Sequence, residues 1–323
     1  MTSVLIPFSL WTAHGPETSV LAKTELPNLR AWLSQAQRVA VAVDDVHEPL
    51  LAALSPPHER AWAQAVGWTV ADGGFPWAAM AAQAQGLTGT GWAFISLCNW
   101  HVSNGQVTLG DPAQLQIDDA TDVALFNSMQ GFFAEDGIDL HRHRPGQWLA
   151  QSPLLVDLPT AAIDRVVGRN IDPWLVGGHT QAAGLSPAAQ LLRRLQNEMQ
   201  MLLYTHGVNE GRALTINSFW VHGTGALPDS PVQAEPTWVN TLRTPALQQD
   251  FIGWLEAWQQ VDAEVMAPLL ARAAAGEPHR VVLCGEHEFH VYEAGKPSLW
   301  QRVRHHFAPT ALDRVLAVAP QKD

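Results

Sequence analysis

The residues best suited to chemistry lie between Leu191 and Gly225, a stretch reading LLRRLQNEMQMLLYTHGVNEGRALTINSFWVHGTG. His206, Asn209 and Arg212 fall within seven residues, and Gly207 and Gly211 let the backbone bring them toward one another. A guanidinium in such a loop pairs with an anion while the imidazole and the amide orient it. Further on, His222-Gly223-Thr224-Gly225 offers backbone amides that can approach a bound group closely, and Asn217 and Trp220 flank the same run. Asn197 and Gln200 carry amides that can reach a neighbouring loop or a ligand. A plainer account of the same letters is a helix C-cap, a connecting loop and a tight turn.

Other side chains raise metal and nucleophile chemistry. The closest histidine clusters are His141-x-His143, His287-x-x-His290 and His305-His306. Two histidines at i,i+2 on a strand point the same way, a geometry that zinc sites use. Asp44-Asp45-Val46-His47-Glu48 is the best acidic cluster for a hard cation. An exposed polar surface explains each of these groups at least as well. HExxH, paired CxxC, EF-hand, G-x-S-x-G and Walker motifs are absent. Ser218, beside Asn217, is a buried-strand nucleophile candidate that would take His206 as its base. Among the 14 tryptophans, Trp62, Trp254 and Trp258 fall on core faces, whereas Trp77, Trp100 and Trp220 adjoin polar motifs and can either wall a pocket or fill the core.

The elements that must hold these residues follow from periodicity. Ser186 and Pro187 open a helix whose buried stripe is Ala188, Leu191, Leu192, Leu195, Met199, Leu202 and Leu203, with Arg194 and Glu198 paired on the other face. A strand is expected over 213–221. Upstream, the pattern predicts strands over 4–11 and 39–43, helices over 28–37 and 56–66 (the second capped by Ser55), and a hairpin of 92–101 with 106–109 around Ser103-Asn104-Gly105. A helix over 119–134 should bury Val123, Phe126, Met129, Phe132 and Phe133. The basic run 141–144 reads as a solvated loop, followed by strands over 148–150 and 154–158. Downstream come a long loop over 223–238 suited to a mobile cover, a long helix from Thr244-Pro245, and a hairpin of 280–284 with 288–292. This interleaving predicts an α/β (or α+β) layered domain with one principal mixed sheet flanked by helices, spanning 1–323, or subdivided into 1–90 and 91–323.

The run RRLQNEMQMLLYTHGVNEGR with NSFWVHGTG closely resembles the bacterial RpfE-type regulatory proteins, which are often related to phosphoglycerate mutases. Asp72-Gly73-Gly74-Phe75-Pro76-Trp77-Ala78, Leu97-Cys98-Asn99-Trp100-His101 and Leu109-Gly110-Asp111-Pro112 extend the likeness over most of the chain. More distantly, the order of helix, HGVNEGR and NSFWVHGTG is similar to archaeal-type cofactor-independent phosphoglycerate mutases of the alkaline-phosphatase superfamily. The resemblance implies part of an alkaline-phosphatase-like fold and a pocket for a small anionic or phosphorylated metabolite. Its residues would be His206, Asn209, Arg212, Asn217, Trp220, Gly223, Gly225, Asn197, Trp100, His101 and Asp72. That superfamily's chemistry needs two divalent metals on Asp and His ligands with a Ser or Thr nucleophile between them. Here the first strand runs into Thr12-Ala13-His14-Gly15 without an Asp, and the closing Asp-His pairs are missing. Gly207 replaces an expected proline, and Asn99 an expected histidine before Trp100.

The expectation is therefore a cytoplasmic regulatory or ligand-binding protein with no cofactor and no assignable catalytic residue. One alternative is a metal-dependent phosphotransferase or phosphohydrolase using manganese or magnesium on residues such as Asp44, Asp72, Asp111 and His101. Another is a protein-interaction module with a protein partner. A formal charge of -12 without a Lys/Arg run disfavours nucleic acid, and 47% hydrophobic with 15% charged residues indicates a globular chain. No stretch approaches the roughly 20 apolar residues of a membrane helix, and the N-terminus does not read as a secretion signal. Cys98 and Cys284 lie in apolar strand-like segments and are expected to stay reduced.

Overall fold

The computed structural model describes residues 1–13, 15–44, 53–103, 105–178, 184–295 and 311–319. In chain order its strands are β1 (Thr2–Ile6), β2 (Trp11–Thr12), β3 (Ala36–Val43), β4 (Trp92–Cys98), β5 (Trp100–Ser103), β6 (Gln106–Leu109), β7 (Asp139–Arg144), β8 (Gln147–Gln151), β9 (Ser218–Gly225), β10 (Thr237–Trp238), β11 (His279–Cys284), β12 (Glu288–Ala294) and β13 (Ala317–Val318). The helices used below are α1 (Pro16–Lys23), α2 (Pro27–Leu33), α3 (Pro57–Val66), α4 (Trp77–Ala84), α5 (Asp119–Glu135), α6 (Ile163–Val166), α7 (Pro187–Tyr204), α8 (Arg243–Leu247), α9 (Phe251–Val261) and α10 (Ala267–Ala274). The class is mixed α/β, as expected, and the described residues fall into two compact units.

The first unit draws on Met1–Asp45, Pro56–Thr69 and Ser230–Asp323. Its mixed sheet runs β10-β1-β11-β12-β3, with β1 parallel to β10 and β11, and β12 antiparallel to β11 and β3. Val4, Ile6, Val281 and Leu283 pack with Trp32 of α2, Trp254 and Trp258 of α9 and Leu269 of α10. The hairpin expected at 280–292 is β11 and β12. The single long helix expected from 244 is instead α8, α9, a π turn at Asp262–Met266 and α10. Gln249 takes a positive φ of 54°, which ends the first piece, and Asp250 caps the next by accepting from the Gly253 amide at 2.9 Å. The π turn aims the buried Asp262 carboxylate at the first turn of α2, where it accepts from the Leu29 amide at 2.6 Å and the Asn28 amide at 3.2 Å. That helix stops at Leu33, so residues 36 and 37, expected to be helical, begin β3.

The second unit comprises Val46–Ser55 and Val70–Asp229. Its four-stranded sheet, order β7-β8-β4-β9, is antiparallel throughout. Alternation along the strands gives it two faces. Ala93, Ile95, Leu97, Trp148, Phe219 and Val221 meet Leu125, Met129 and Phe133 of α5 and Leu192, Leu195 and Met199 of α7. Trp92, Phe94 and Leu149 point the other way and lie under Ala78, Ala79 and Ala82 of α4. The buried stripe of α7 is close to the one its spacing predicts, and Ser186 caps it by accepting from Ala189 at 3.2 Å. On α5 the buried side is rotated: Asp122 and Leu125 are buried, whereas Phe132 is 40% exposed.

Four local expectations fail. The strand expected over 213–221 is β9 at Ser218–Gly225, so His222-Gly223-Thr224-Gly225 completes it and the loop expected from Gly223 begins later. Gly223 has φ +64°, and a Cβ there would sit 3.0 Å from Phe94 Cδ2 and 3.3 Å from Trp77 Cβ, so glycine permits the close approach of α4. The basic run at 141–144 belongs to the edge strand β7, and residues 153–155 form a 3-10 turn where a strand was expected. Ser55 does not cap α3; its hydroxyl accepts from the Gly73 amide at 2.7 Å.

Candidate functional site

The motif residues all fall in the second unit, and most of their polar atoms are engaged with the chain itself. Ser128 Oγ donates to the Ala124 carbonyl at 2.9 Å, so at the 3.0 Å contact between Ser128 Oγ and His206 Nε2 the ring nitrogen carries the proton. The other ring nitrogen, Nδ1, accepts from the Val208 amide at 3.3 Å. Asn209 donates to the carbonyls of Leu203 and Ile216, both at 2.9 Å, and accepts from the Ile216 amide at 2.7 Å. Arg212 donates to the Leu214 and Leu115 carbonyls. Asn217 clasps the Trp100 backbone, accepting from its N–H at 2.7 Å and donating to its carbonyl at 2.9 Å. These bonds lock the end of α7 to the start of β9 and hold β5 beside it.

The remaining expected site residues lie elsewhere on the unit. Trp220 is buried, and its indole donates to the Ala161 carbonyl at 3.0 Å. The Asp72 carboxylate accepts from the Leu54 and Ser55 amides at 2.7 and 2.8 Å. Gly223 and Gly225 are at the far end of β9, while Asn197 and His101 face solvent. The set therefore follows β9 from the loop before it to its end, a run of about 25 Å for eight extended residues.

A polar network that the motif reading passed over sits mid-sheet on the α4-facing side. Ser96 of β4 lies opposite Gln147 of β8 and Trp220 of β9, while Phe94 lies opposite His222. Ser96 Oγ is 2.9 Å from His222 Nε2, and Gln147 Nε2 donates to the same oxygen at 2.9 Å. Ser96 is 2% exposed, and His222 and Gln147 are each 8% exposed. The Phe94 ring lies 5.3 Å from His222 and 5.6 Å from His143, whose Nδ1 meets the exposed Gln85 Nε2 at 2.7 Å. Burial, with Arg144 adding repulsion, holds His143 below its ordinary pKa and favours its neutral form. The polar letters were all in the sequence, but an uninterrupted apolar strand gave no sign that Ser96 would meet a histidine 126 residues away.

The histidine and acidic clusters are dispersed. His141 and His143 share one side of β7 as their spacing predicts, stacked near Trp92 and Phe94. In the first unit, Asp44 meets the Arg60 guanidinium and, at 3.5 Å, His287, whereas His290 pairs with Glu288 at 2.9 Å. Asp45 to Glu48, His14, Asn104 and His305-His306 lie outside the described residues. Among the described residues no three His, Cys, Asp or Glu side chains gather as a metal site, and none of their helices is long and apolar enough to cross a membrane. The candidate pair of Ser218 and His206 is not formed: Ser218 accepts from Gln200 at 3.4 Å and His206 is held by Ser128.

No family model matches the chain, and no curated protein matches it in sequence. Among solved structures it is similar to a cofactor-independent phosphoglycerate mutase from Thermoplasma acidophilum DSM 1728, at 13% identity and a TM-score of 0.40 over 98% of this chain and 96% of that one. The RpfE-type likeness has no counterpart in these comparisons.

Proposed function

We propose that this chain is a small-molecule-binding protein whose ligand is held by Ser96, His222 and Gln147, and that the His206–Arg212 loop is the frame that keeps β9 in place. The observation that carries the proposal is a hydrogen-bonded trio of polar side chains buried in the middle of the sheet beside Phe94. Burying such groups is unfavourable unless they are bonded, and these two 2.9 Å bonds set one hydroxyl, one amide and one imidazole side by side. Neither Arg nor Lys takes part in those two bonds, so the trio suits an uncharged ligand with an ester- or amide-like carbonyl and an apolar body that packs against Phe94. The expected phosphorylated metabolite would need a guanidinium, and those of Arg212 donate to main-chain carbonyls.

A thermal-shift screen of neutral esters, lactones and amides against phosphorylated metabolites tests this reading. A ligand that binds only the folded state at 100 times its Kd adds about 2.7 kcal/mol of stability. The expected result is a rise in Tm with a neutral carbonyl compound that His222→Leu abolishes. A rise with a phosphorylated metabolite that is lost in Arg212→Lys but kept in His222→Leu would overturn the proposal and place the ligand at the loop.

A further inference from the structure

Two serine–histidine pairs occur among the described residues of the second unit, and they differ in where the hydroxyl proton can go. Ser128 gives its only proton to the Ala124 carbonyl at 2.9 Å, so His206 must be the donor in that pair and cannot act as a base toward it. Ser96 is arranged the other way. Gln147 Nε2 can only donate, and at 2.9 Å it occupies a lone pair of Ser96 Oγ. With the imidazole proton on Nδ1, the Ser96 hydroxyl donates to His222 Nε2, also 2.9 Å away. That is the alignment of a hydroxyl nucleophile with its general base.

The surroundings suit the same chemistry. Ser96 itself is 2% exposed, which strengthens polar interactions and keeps water from competing.

From this geometry, and resting on the binding reading above, we infer that Ser96 is a nucleophile activated by His222 and that it accepts an acyl group from a neutral carboxylic ester. Ser96 Oγ forms a bond to the ester carbonyl carbon as its proton passes to His222 Nε2. The bond from that carbon to the alcohol oxygen then breaks, and the departing oxygen takes the proton back from His222. The products are an acyl-Ser96 ester and a free alcohol. Water, deprotonated by the same nitrogen, cleaves the acyl-enzyme to a carboxylic acid and restores the hydroxyl. No oxidant, metal or charge transfer to a further group is needed for the balance.

The test is covalent labelling of the full chain with an alkyl fluorophosphonate, in which Ser96 Oγ bonds to phosphorus and fluoride leaves, read by intact mass and peptide mapping. The expected result is one adduct, on the peptide containing Ser96. Ser96→Ala should abolish it, His222→Gln should slow it by roughly 100-fold or more, and Ser128→Ala should label like the wild type. The labelling rate should rise with pH as the base loses its proton, a dependence absent in His222→Gln. Wild-type protein that remains unlabelled, or is labelled at another serine, overturns the nucleophile. If a non-hydrolysable amide still raises Tm in that case, the binding reading stands without the chemistry; if it does not, both fall.

Discussion

At the scale of single residues, what distinguishes a ligand-binding side chain from a structural one is whether its hydrogen-bonding capacity is already used. The sequence gives residue types but not partners. Asn209 shows the difference: its amide looks available in HGVNEGR, yet it satisfies two carbonyls and one N–H from Leu203 and Ile216. Asn209→Ala would strand those main-chain groups in a half-buried turn, a loss of about 1–3 kcal/mol. We expect a lower urea midpoint, and an unchanged midpoint would show that water replaces the amide. His206 is similar in kind, since both ring nitrogens are used. The motif was legible as a cluster of polar residues; its role as a fastener depends on main-chain groups that carry no signature in the letters.

At the scale of elements, periodicity identified α5, α7 and the closing hairpin because long apolar patterns are fixed by burial on one face. It missed the edge strand β7, which is set by a few contacts, and placed the start of β9 five residues early. Asp122 is the clearest omission. Among Asp118, Asp119 and Asp122 the sequence has no preference, yet only the last is fully buried. From α5 it accepts from Arg142 Nε of β7 at 2.6 Å, and from the Gly146 amide and the Trp148 indole of the adjoining hairpin, both at 2.8 Å. One carboxylate thereby fixes a helix against two strands. Asp122→Ala leaves the Gly146 amide and the Trp148 indole without their acceptor, while Arg142 keeps Asp119, and should cost about 1–3 kcal/mol, measurable by equilibrium denaturation. A loss below 1 kcal/mol would mean that the helix is positioned by its apolar face alone.

At the scale of the whole molecule, stability should follow pH through buried histidines. Burial, outweighing the attraction of Glu288, holds His290 below its ordinary 6.5, and His143 is shifted the same way. The unfolded chain therefore binds protons at a higher pH than the folded one. The stability contributed by these groups is complete above 6.5 and drains as pH falls below it toward the folded-state values. The urea midpoint should be lower at pH 5.5 than at pH 7.5, with a shallower fall in His290→Gln; an equal or steeper fall in that variant would exclude His290 as a source. The assembly of the first unit from three separate segments is the feature least visible in sequence, since no composition change marks its boundaries. The two cysteines give a probe of it. Cys98 lies in β4 of the second unit and Cys284 in β11 of the first, both fully buried, and burial pushes both thiols well above the usual cysteine range. Alkylation requires an exposed thiolate, so neither should react with iodoacetamide in the folded protein. In mild urea, each should react only when its own sheet opens. Asp122→Ala should then accelerate labelling of Cys98 more than of Cys284, and Asp262→Ala, which uncaps α2, should do the reverse. Equal acceleration at both cysteines in both variants would show that the two units open as one cooperative block.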